Sequence, residues 1–421
     1  MRIIFFLKNA KNFNKFKLDL IINLISFVFI GFAGIFLNIV ILRHSDFNTL
    51  GQFNKVFAFF LVVSQFTSLG IHLVIQNKIP QINDLKSRKL FFTSGLLLTS
   101  AIALFLISIL YIIYRVNFLS FELYFVILPG IFFFSVNRLI LTFFMSKREM
   151  IHYAFFNVLR YLLLLILAYI FITQKDLELV TILNYTEIIL FIILISFIAK
   201  DISVKREIIF HVKEQLFFGL KSFGGNLLLN TSSQIEILIL SFYVNDKFIG
   251  IYTFPLFIYQ GLRQFLNVYR NNITPILSRI YFNKSKKVLN RVFTRYRNFV
   301  FKYSILLSLF ALLIFPVIVS FSNKIDDEYF YLSYLIFFIM ILGFGFSSKY
   351  YIFYLIFNQL NLPLIHSVFF LLILIFNILF NMLLVPFIGV IGASIANLFS
   401  NIFSVFLFKL FCKNRLKVEM L

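Results

Sequence analysis

Arg138, Arg160, Arg263, Arg270 and Lys349 stand inside long apolar runs, several residues from the nearest polar loop. A cation in that setting has one chemistry open to it, the holding of an anion. A guanidinium does this with a planar fork of donors that matches phosphate or carboxylate oxygens. Each charge facing lipid near the bilayer centre would cost about 2.5–3.5 kcal/mol, so four of them would cost roughly 10–14 kcal/mol. Acids that could neutralise them are scarce, and Glu187 and Glu236 are the clear intramembrane candidates, as counter-ions or as sites for a coupling proton or sodium ion. The surplus of positive charge points to a hydrated cationic cavity that receives an anionic cargo. Arg138 and Arg160, at similar depth on consecutive antiparallel helices, form the first candidate pair.

Uncharged polar residues fall in register with these cations. Gln260, Gln264, Asn267 and Asn271 recur with Arg263 and Arg270 at helical spacing, and Gln65, Ser68 and His72 make a narrower stripe near the start of the chain. Asn226 and Asn230 lie on one side of the run that ends at Glu236, and Asn377 and Asn381 lie one turn apart further on. A helix facing lipid leaves such groups unsatisfied. They line a cavity or join helices through interhelical hydrogen bonds, the structural alternative.

Enzyme chemistry finds no support. The five histidines form no metal-spaced cluster with acids or cysteine, and the sequence contains no phosphate-binding glycine loop or nucleophile elbow. The single cysteine, Cys412, excludes an intrachain disulfide and thiolate clusters. No catalytic residue, metal or cofactor is expected.

The elements that must position these residues are membrane helices. The 421 residues are 61% hydrophobic and only 13% charged, half the charge of a typical soluble domain. Polar breaks separate twelve apolar spans near 19–43, 50–76, 90–114, 121–145, 152–173, 178–199, 217–243, 248–276, 299–322, 329–357, 363–388 and 389–411. Each has the length needed to cross a hydrocarbon core of about 30 Å. The fold class is therefore all-α and polytopic.

Lys and Arg concentrate in the segments that are cytoplasmic if the N-terminus is inside, such as 1–18 and 277–298, and thin out in the intervening loops. The positive-inside rule then puts both termini in the cytoplasm. The net charge of +22 is read as a topology signal with attraction to anionic membrane lipid, and nucleic-acid binding is not expected.

A shift of 199 residues lays Ile41–Phe53 on Leu240–Tyr252 and superimposes Gly51 on Gly250, Gln65 on Gln264 and His72 on Asn271. Two six-helix lobes, 1–205 and 206–421, are expected from this parallel repeat, with cargo held between them.

The stretch Gln234–Pro275 resembles the central signature of bacterial polysaccharide flippases, with Glu236 opening the seventh helix, Gly250 and Tyr252 beginning the eighth and Pro275 following its end. Asn377–Ala396, NILFNMLLVPFIGVIGASIA, is similar to that family's junction between helices eleven and twelve, and Asn157–Arg160 to its Asn-x-x-Arg pattern. One departure is that the family often ends its second helix with Arg, whereas this chain has Gln76 and Asn77.

The resemblance implies the multidrug/oligosaccharidyl-lipid/polysaccharide (MOP) exporter fold. It also implies a flippase of the bacterial inner membrane that moves undecaprenyl-diphosphate-linked O-antigen or capsule repeat units by alternating access, with a polysaccharide polymerase as a partner. Two alternatives stand beside it. A multidrug cation antiporter of the same fold should prefer an acidic cavity. A membrane polymerase or ligase should carry a sizeable outer loop, and the outer connections here are short.

Overall fold

The computed structural model describes residues 2–115, 123–174, 178–205, 207–283, 286–321, 327–360 and 362–416. Among them there is no strand. In a bilayer every backbone N–H and C=O must be satisfied within its own segment, so apolar runs of this length fold as helices.

The helices are α1 (Arg2–His44), α2 (Phe47–Ser68), α3 (Ile71–Lys78), α4 (Leu85–Arg115), α5 (Leu123–Val126), α6 (Leu128–Ser146) and α7 (Met150–Gln174). They continue with α8 (Ile182–Ile198), α9 (Ile208–Leu240), α10 (Asp246–Asn283), α11 (Lys286–Ser320), α12 (Asp327–Tyr351), α13 (Ile356–Gln359) and α14 (Pro363–Phe411). Short side chains start several of them. Asp84 precedes α4 and accepts from the Ser87 hydroxyl at 2.7 Å and the Ser87 N–H at 2.8 Å. Those bonds hold its carboxyl below the ordinary range.

Eight of the described helices are long and apolar enough to cross a membrane, nine if α2 and the bent segment after it count as one span. The polar stripes of α9 and α10 keep both out of that count, although at 33 and 38 residues each exceeds the crossing length. Among the described residues helix runs along all twelve expected spans, with four departures in detail, one of them the turn over 352–355 that separates α12 from α13 within the tenth span.

The second span is broken. Leu69 and Gly70 both take positive φ, and the chain bends by 57°. Gly70 is required there twice over, since a Cβ would strain at φ +75 and would stand 2.5 Å from the Gly219 carbonyl oxygen. The fourth span is split at Ile127, just before Pro129. The eleventh and twelfth spans form an antiparallel hairpin within α14. Pro386, the non-helical Ile388 and Gly389 at φ +55 make its turn. Across its limbs the Phe376 and Phe403 rings stack at 4.1 Å, and Asn377 Nδ2 donates to Ser400 Oγ at 3.1 Å.

By packing, the chain divides into two compact units, one of Met1–Leu37 with Val63–Phe223 and the other of Asn38–Val62 with Gly224–Leu421. In the first unit α6 is the central helix. Its apolar residues pack with Ile75, Phe92, Phe156 and Leu190, and the Phe92 and Phe143 rings stack at 3.8 Å. In the second unit α12 packs against α14, α11 and α10, burying Phe337, Met340 and Phe344.

Candidate functional site

The cations of the first unit sit on its central helices, where the surrounding apolar packing fixes their direction. Arg138 of α6 is half-buried, and its Nη1 donates to Gln65 Oε1 of α2 at 2.7 Å. His72 of α3 is buried beside it and interacts with its charge. Ser68 is buried one turn before His72 and donates to the Gln65 carbonyl at 3.0 Å. Of the sequence stripe, Gln65 and His72 meet Arg138 while Ser68 bonds the Gln65 backbone, and none of the three is an acid.

Arg160 of α7 is differently placed. It is buried, and its Nε stands 2.8 Å from Glu187 Oε1, with Nη2 donating to Oε2 at 3.2 Å. Asn137 Nδ2 donates to the same carboxylate at 2.8 Å, and the Phe134 ring lies 4.7 Å from the guanidinium. Arg160 and Glu187 thus form a desolvated two-point ion pair, and the charge of Arg160 is balanced by the one acid the α8 span carries. Arg138 feels that charge as an electrostatic neighbour. Among the described residues no carboxylate reaches Arg138 within ion-pair distance.

In the second unit α9, α10, α12 and α14 surround a polar cavity of about 70 Å³, space for several waters. Glu236, Gln260, Arg263 and Asn377 line it, together with Tyr259, Tyr351, Tyr354, Asn397, Ser400 and Asn401. Glu236 Oε1 accepts from Tyr252 Oη at 2.7 Å, and Oε2 accepts from Asn397 Nδ2 at 3.1 Å. The Arg263 guanidinium stands 4.9 Å from the Tyr351 ring and 5.7 Å from the Tyr259 ring. Tyr351 Oη donates to Asn267 Oδ1 at 2.8 Å, and Asn267 Nδ2 donates to Gln264 Oε1 at 2.9 Å. Arg270 is buried on the far side of this cluster, 5.0 Å from the Tyr351 ring.

Asn381 donates to Asn377 along one limb of the hairpin, at 2.8 Å to its carbonyl and 3.1 Å to its side chain. Lys349 stands apart from the cavity lining, with Nζ 4.0 Å over the Phe301 ring. The side chains of Asn226, Asn230 and Asn271 lie outside the described residues.

The sequence reading missed the tyrosines that hold Arg263 and the donor to Glu236 on α14. Asn397, Ser400, Asn401 and Ser404 recur at i, i+3, i+4 and i+7 in the last span, the same signal that picked out α10. The tyrosines carried no such signal in a chain with 63 Phe, where one more aromatic reads as lipid-facing or core.

No protein-family model matches the chain, and no curated protein does either. Solved structures do match along nearly its whole length. A structure of the lipid II flippase MurJ in an inward closed conformation superimposes with a TM-score of 0.74 at 15% identity, covering 92% of this chain and 87% of that one. An inward-facing multidrug resistance MATE family transporter of the MOP superfamily gives 0.70 at 14% identity, over 91% and 94%. A MOP superfamily transporter from Pyrococcus furiosus, described as having a binding pocket of reversed polarity, gives 0.62 at 14% identity, over 95% of each chain. What such distant likeness establishes is architecture: this chain has the polytopic all-α fold of the MOP superfamily transporters.

Proposed function

We propose that this protein is a flippase of the bacterial inner membrane, moving a lipid-linked oligosaccharide with an anionic headgroup by alternating access. One observation carries the reading. Arg138 and Arg263 lie in membrane-spanning helices, and both are held only by neutral groups, Gln65 for the first and tyrosine rings for the second. Sequestered cations with no acid in direct contact persist where water or an anionic ligand completes their charge balance. The undecaprenyl-diphosphate-linked O-antigen or capsule unit suggested by the sequence resemblance supplies such an anion. The solved lipid II flippase of the same fold is a precedent for cargo of that kind.

Arg160 takes a different place in this reading from the one its depth suggested. Paired with Glu187, it fixes α7 against α8 and shapes the field around Arg138. Glu236 remains the candidate for a coupling proton or sodium ion, since its oxygens accept from Tyr252 and Asn397 and face a polar cavity. A second reading, export of a cationic compound, is favoured by that same carboxylate among tyrosines and by the MATE-like fold. Arg263 in the same cavity weighs against it.

The test is surface polysaccharide production in cells whose only copy carries Arg138→Gln or Arg263→Gln. Membrane insertion should be normal and surface polysaccharide lost, with lipid-linked precursor accumulating inside. Undiminished surface polysaccharide in both variants, with a changed resistance to cationic drugs, would transfer the function to the second reading.

A further inference from the structure

The cavity of the second unit contains one carboxylate and one guanidinium that line the same space without forming an ion pair. Glu236 projects from α9 and is fully buried, its oxygens taken by Tyr252 and Asn397. Arg263 projects from α10 one turn beyond Tyr259 and rests on the rings of Tyr351 and Tyr259. Between charges of opposite sign in so enclosed a site, direct contact would be the expected arrangement. Here neutral donors hold the acid, the rings of Tyr259 and Tyr351 and the Tyr351 hydroxyl hold the base, and several waters fit in the space they share.

We propose that Glu236 and Arg263 form a paired site in which a monovalent cation at Glu236 and an anionic group at Arg263 are bound with positive coupling. The argument is a balance of charge. Empty, the cavity is neutral overall, with the two groups stabilising each other across it. A cation taken up alone leaves the positive charge of Arg263 unbalanced, and an anion taken up alone leaves the negative charge of Glu236 unbalanced. Only joint loading restores neutrality in a medium where an unbalanced charge is costly. Each ligand therefore raises the affinity for the other by the same factor.

The donor set also defines the cation. Among the described residues no group of three His, Cys, Asp or Glu is placed to hold a metal ion. One carboxylate amid amide and hydroxyl oxygens suits a proton or a sodium ion. The titratable and charged groups facing Glu236 are Tyr252, Tyr259 and Arg263 from α10 and Tyr351 and Tyr354 from the end of α12 and the turn after it. The polar residues that the α14 hairpin offers there are Asn and Ser, none of them titratable.

This inference rests on the flippase reading for the nature of the natural anion, and not for the charge pairing itself. The experiment uses the full chain in lipid nanodiscs, with inorganic pyrophosphate as the anion and sodium as the cation. A parallel pH series without sodium tests the proton. Cation loading should tighten pyrophosphate binding by about 5- to 150-fold. Glu236→Gln, which mimics the neutralised acid, should bind pyrophosphate tightly with no dependence on either cation. Arg263→Gln should bind the cation more tightly than the unmodified chain when no anion is present, and Arg263→Lys should restore the original behaviour.

The cation measurement on Arg263→Gln stands even if pyrophosphate proves too small a probe to bind. Weaker pyrophosphate binding with cation, or a cation affinity indifferent to Arg263, would overturn the coupling. The outcomes also separate the two claims. If surface polysaccharide is lost in Arg263→Gln cells while cation and anion bind independently, the transport reading stands and the coupling fails. If coupling is measured while Arg138→Gln and Arg263→Gln cells both produce normal polysaccharide, the coupling stands and the cargo is another anion.

Discussion

Asn54 donates from Nδ2 to Thr253 Oγ1 at 2.8 Å, and the two residues are 199 positions apart, the same shift that superimposes the two halves of the sequence. The relationship extends along both helices. Asp46 accepts from the N–H of Thr49 at the start of α2, and Asn245, its equivalent under the shift, accepts from the N–H of Phe248 at the start of α10. A Cβ on Gly51 would overlap the Asp246 carbonyl oxygen, and one on Gly250 would overlap the carbonyl oxygen of Phe47, the shift-equivalent of Asp246. Helices α2 and α10 thus cross at their N-terminal ends through equivalent residues, around a local two-fold relationship, with backbones as close as glycine permits.

The crossing gives a direct stability test. Gly51→Ala and Gly250→Ala each place a methyl on backbone that is shared with the opposite helix, and overpacking of that kind costs about 1–3 kcal/mol. Gly31→Ala, where a Cβ meets nothing within 4 Å, is the control. Thermal unfolding in detergent should show both crossing variants well below the unmodified protein and the control unchanged. Equal stability of all four would mean that α2 and α10 do not touch at these glycines.

The ion pair in the first unit predicts a pattern that a ligand-binding arginine would not give. Arg160→Leu leaves Glu187 buried and uncompensated, and Glu187→Leu does the same to Arg160. Either should cost about 3–5 kcal/mol. The double Leu variant removes both charges from a site where the pair is only 10% and 4% exposed, and should be more stable than either single. Arg138→Gln breaks no ion pair among the described residues and should unfold close to the unmodified chain. A double variant no better than the singles would mean that the two residues act separately.

Much of this was legible in the sequence, because lipid imposes simple rules. Length and hydropathy located helix along the expected spans, and period-3.6 polar stripes singled out Gln65 and His72, which the structure sets against Arg138, and Gln260, Arg263 and Asn377, which it sets on one cavity of the second unit. Two features were hidden for physical reasons. Depth along a helix says how costly a charge is but not what it faces, so Arg160 and Arg138 looked alike until Glu187 was seen to point at one of them. Aromatic faces hold cations without any polar atom, so the roles of Tyr259 and Tyr351 had no signature in a Phe-rich chain.

The orientation expected from the charge asymmetry can be checked at the α14 hairpin. Phe387 at its turn is 85% exposed, and Leu364 at the opposite end of the first limb is 80% exposed. With both termini inside, the turn lies on the outer face. In intact cells a membrane-impermeant maleimide should label Phe387→Cys and leave Leu364→Cys unlabelled until the membrane is opened. Native Cys412 is buried and adds little background. The reverse pattern would invert the whole topology.

Tyr351 offers the finest dissection of the cavity, because its hydroxyl and its ring can be removed one after the other. The ring faces both Arg263 and Arg270, at 4.9 and 5.0 Å, while the hydroxyl donates to Asn267 and accepts from both guanidinium groups. Tyr351→Phe keeps the aromatic face but loses the hydroxyl that bonds Asn267 and both guanidinium groups, at about 1.5–3 kcal/mol for each bond to a charged group, and should lower polysaccharide export only in part. Tyr351→Leu removes the face as well, freeing two guanidinium groups from the surface that orients them, at about 0.5–2 kcal/mol for each cation–π contact according to its desolvation. Export should fall much further in the Leu variant than in the Phe variant, while Tyr350→Leu, one residue away and with its ring against Phe408, should affect stability before export. If the Phe variant lost export as fully as the Leu variant, the hydroxyl and its link to Asn267 would be the functional element, and the aromatic cradle for Arg263 would be incidental.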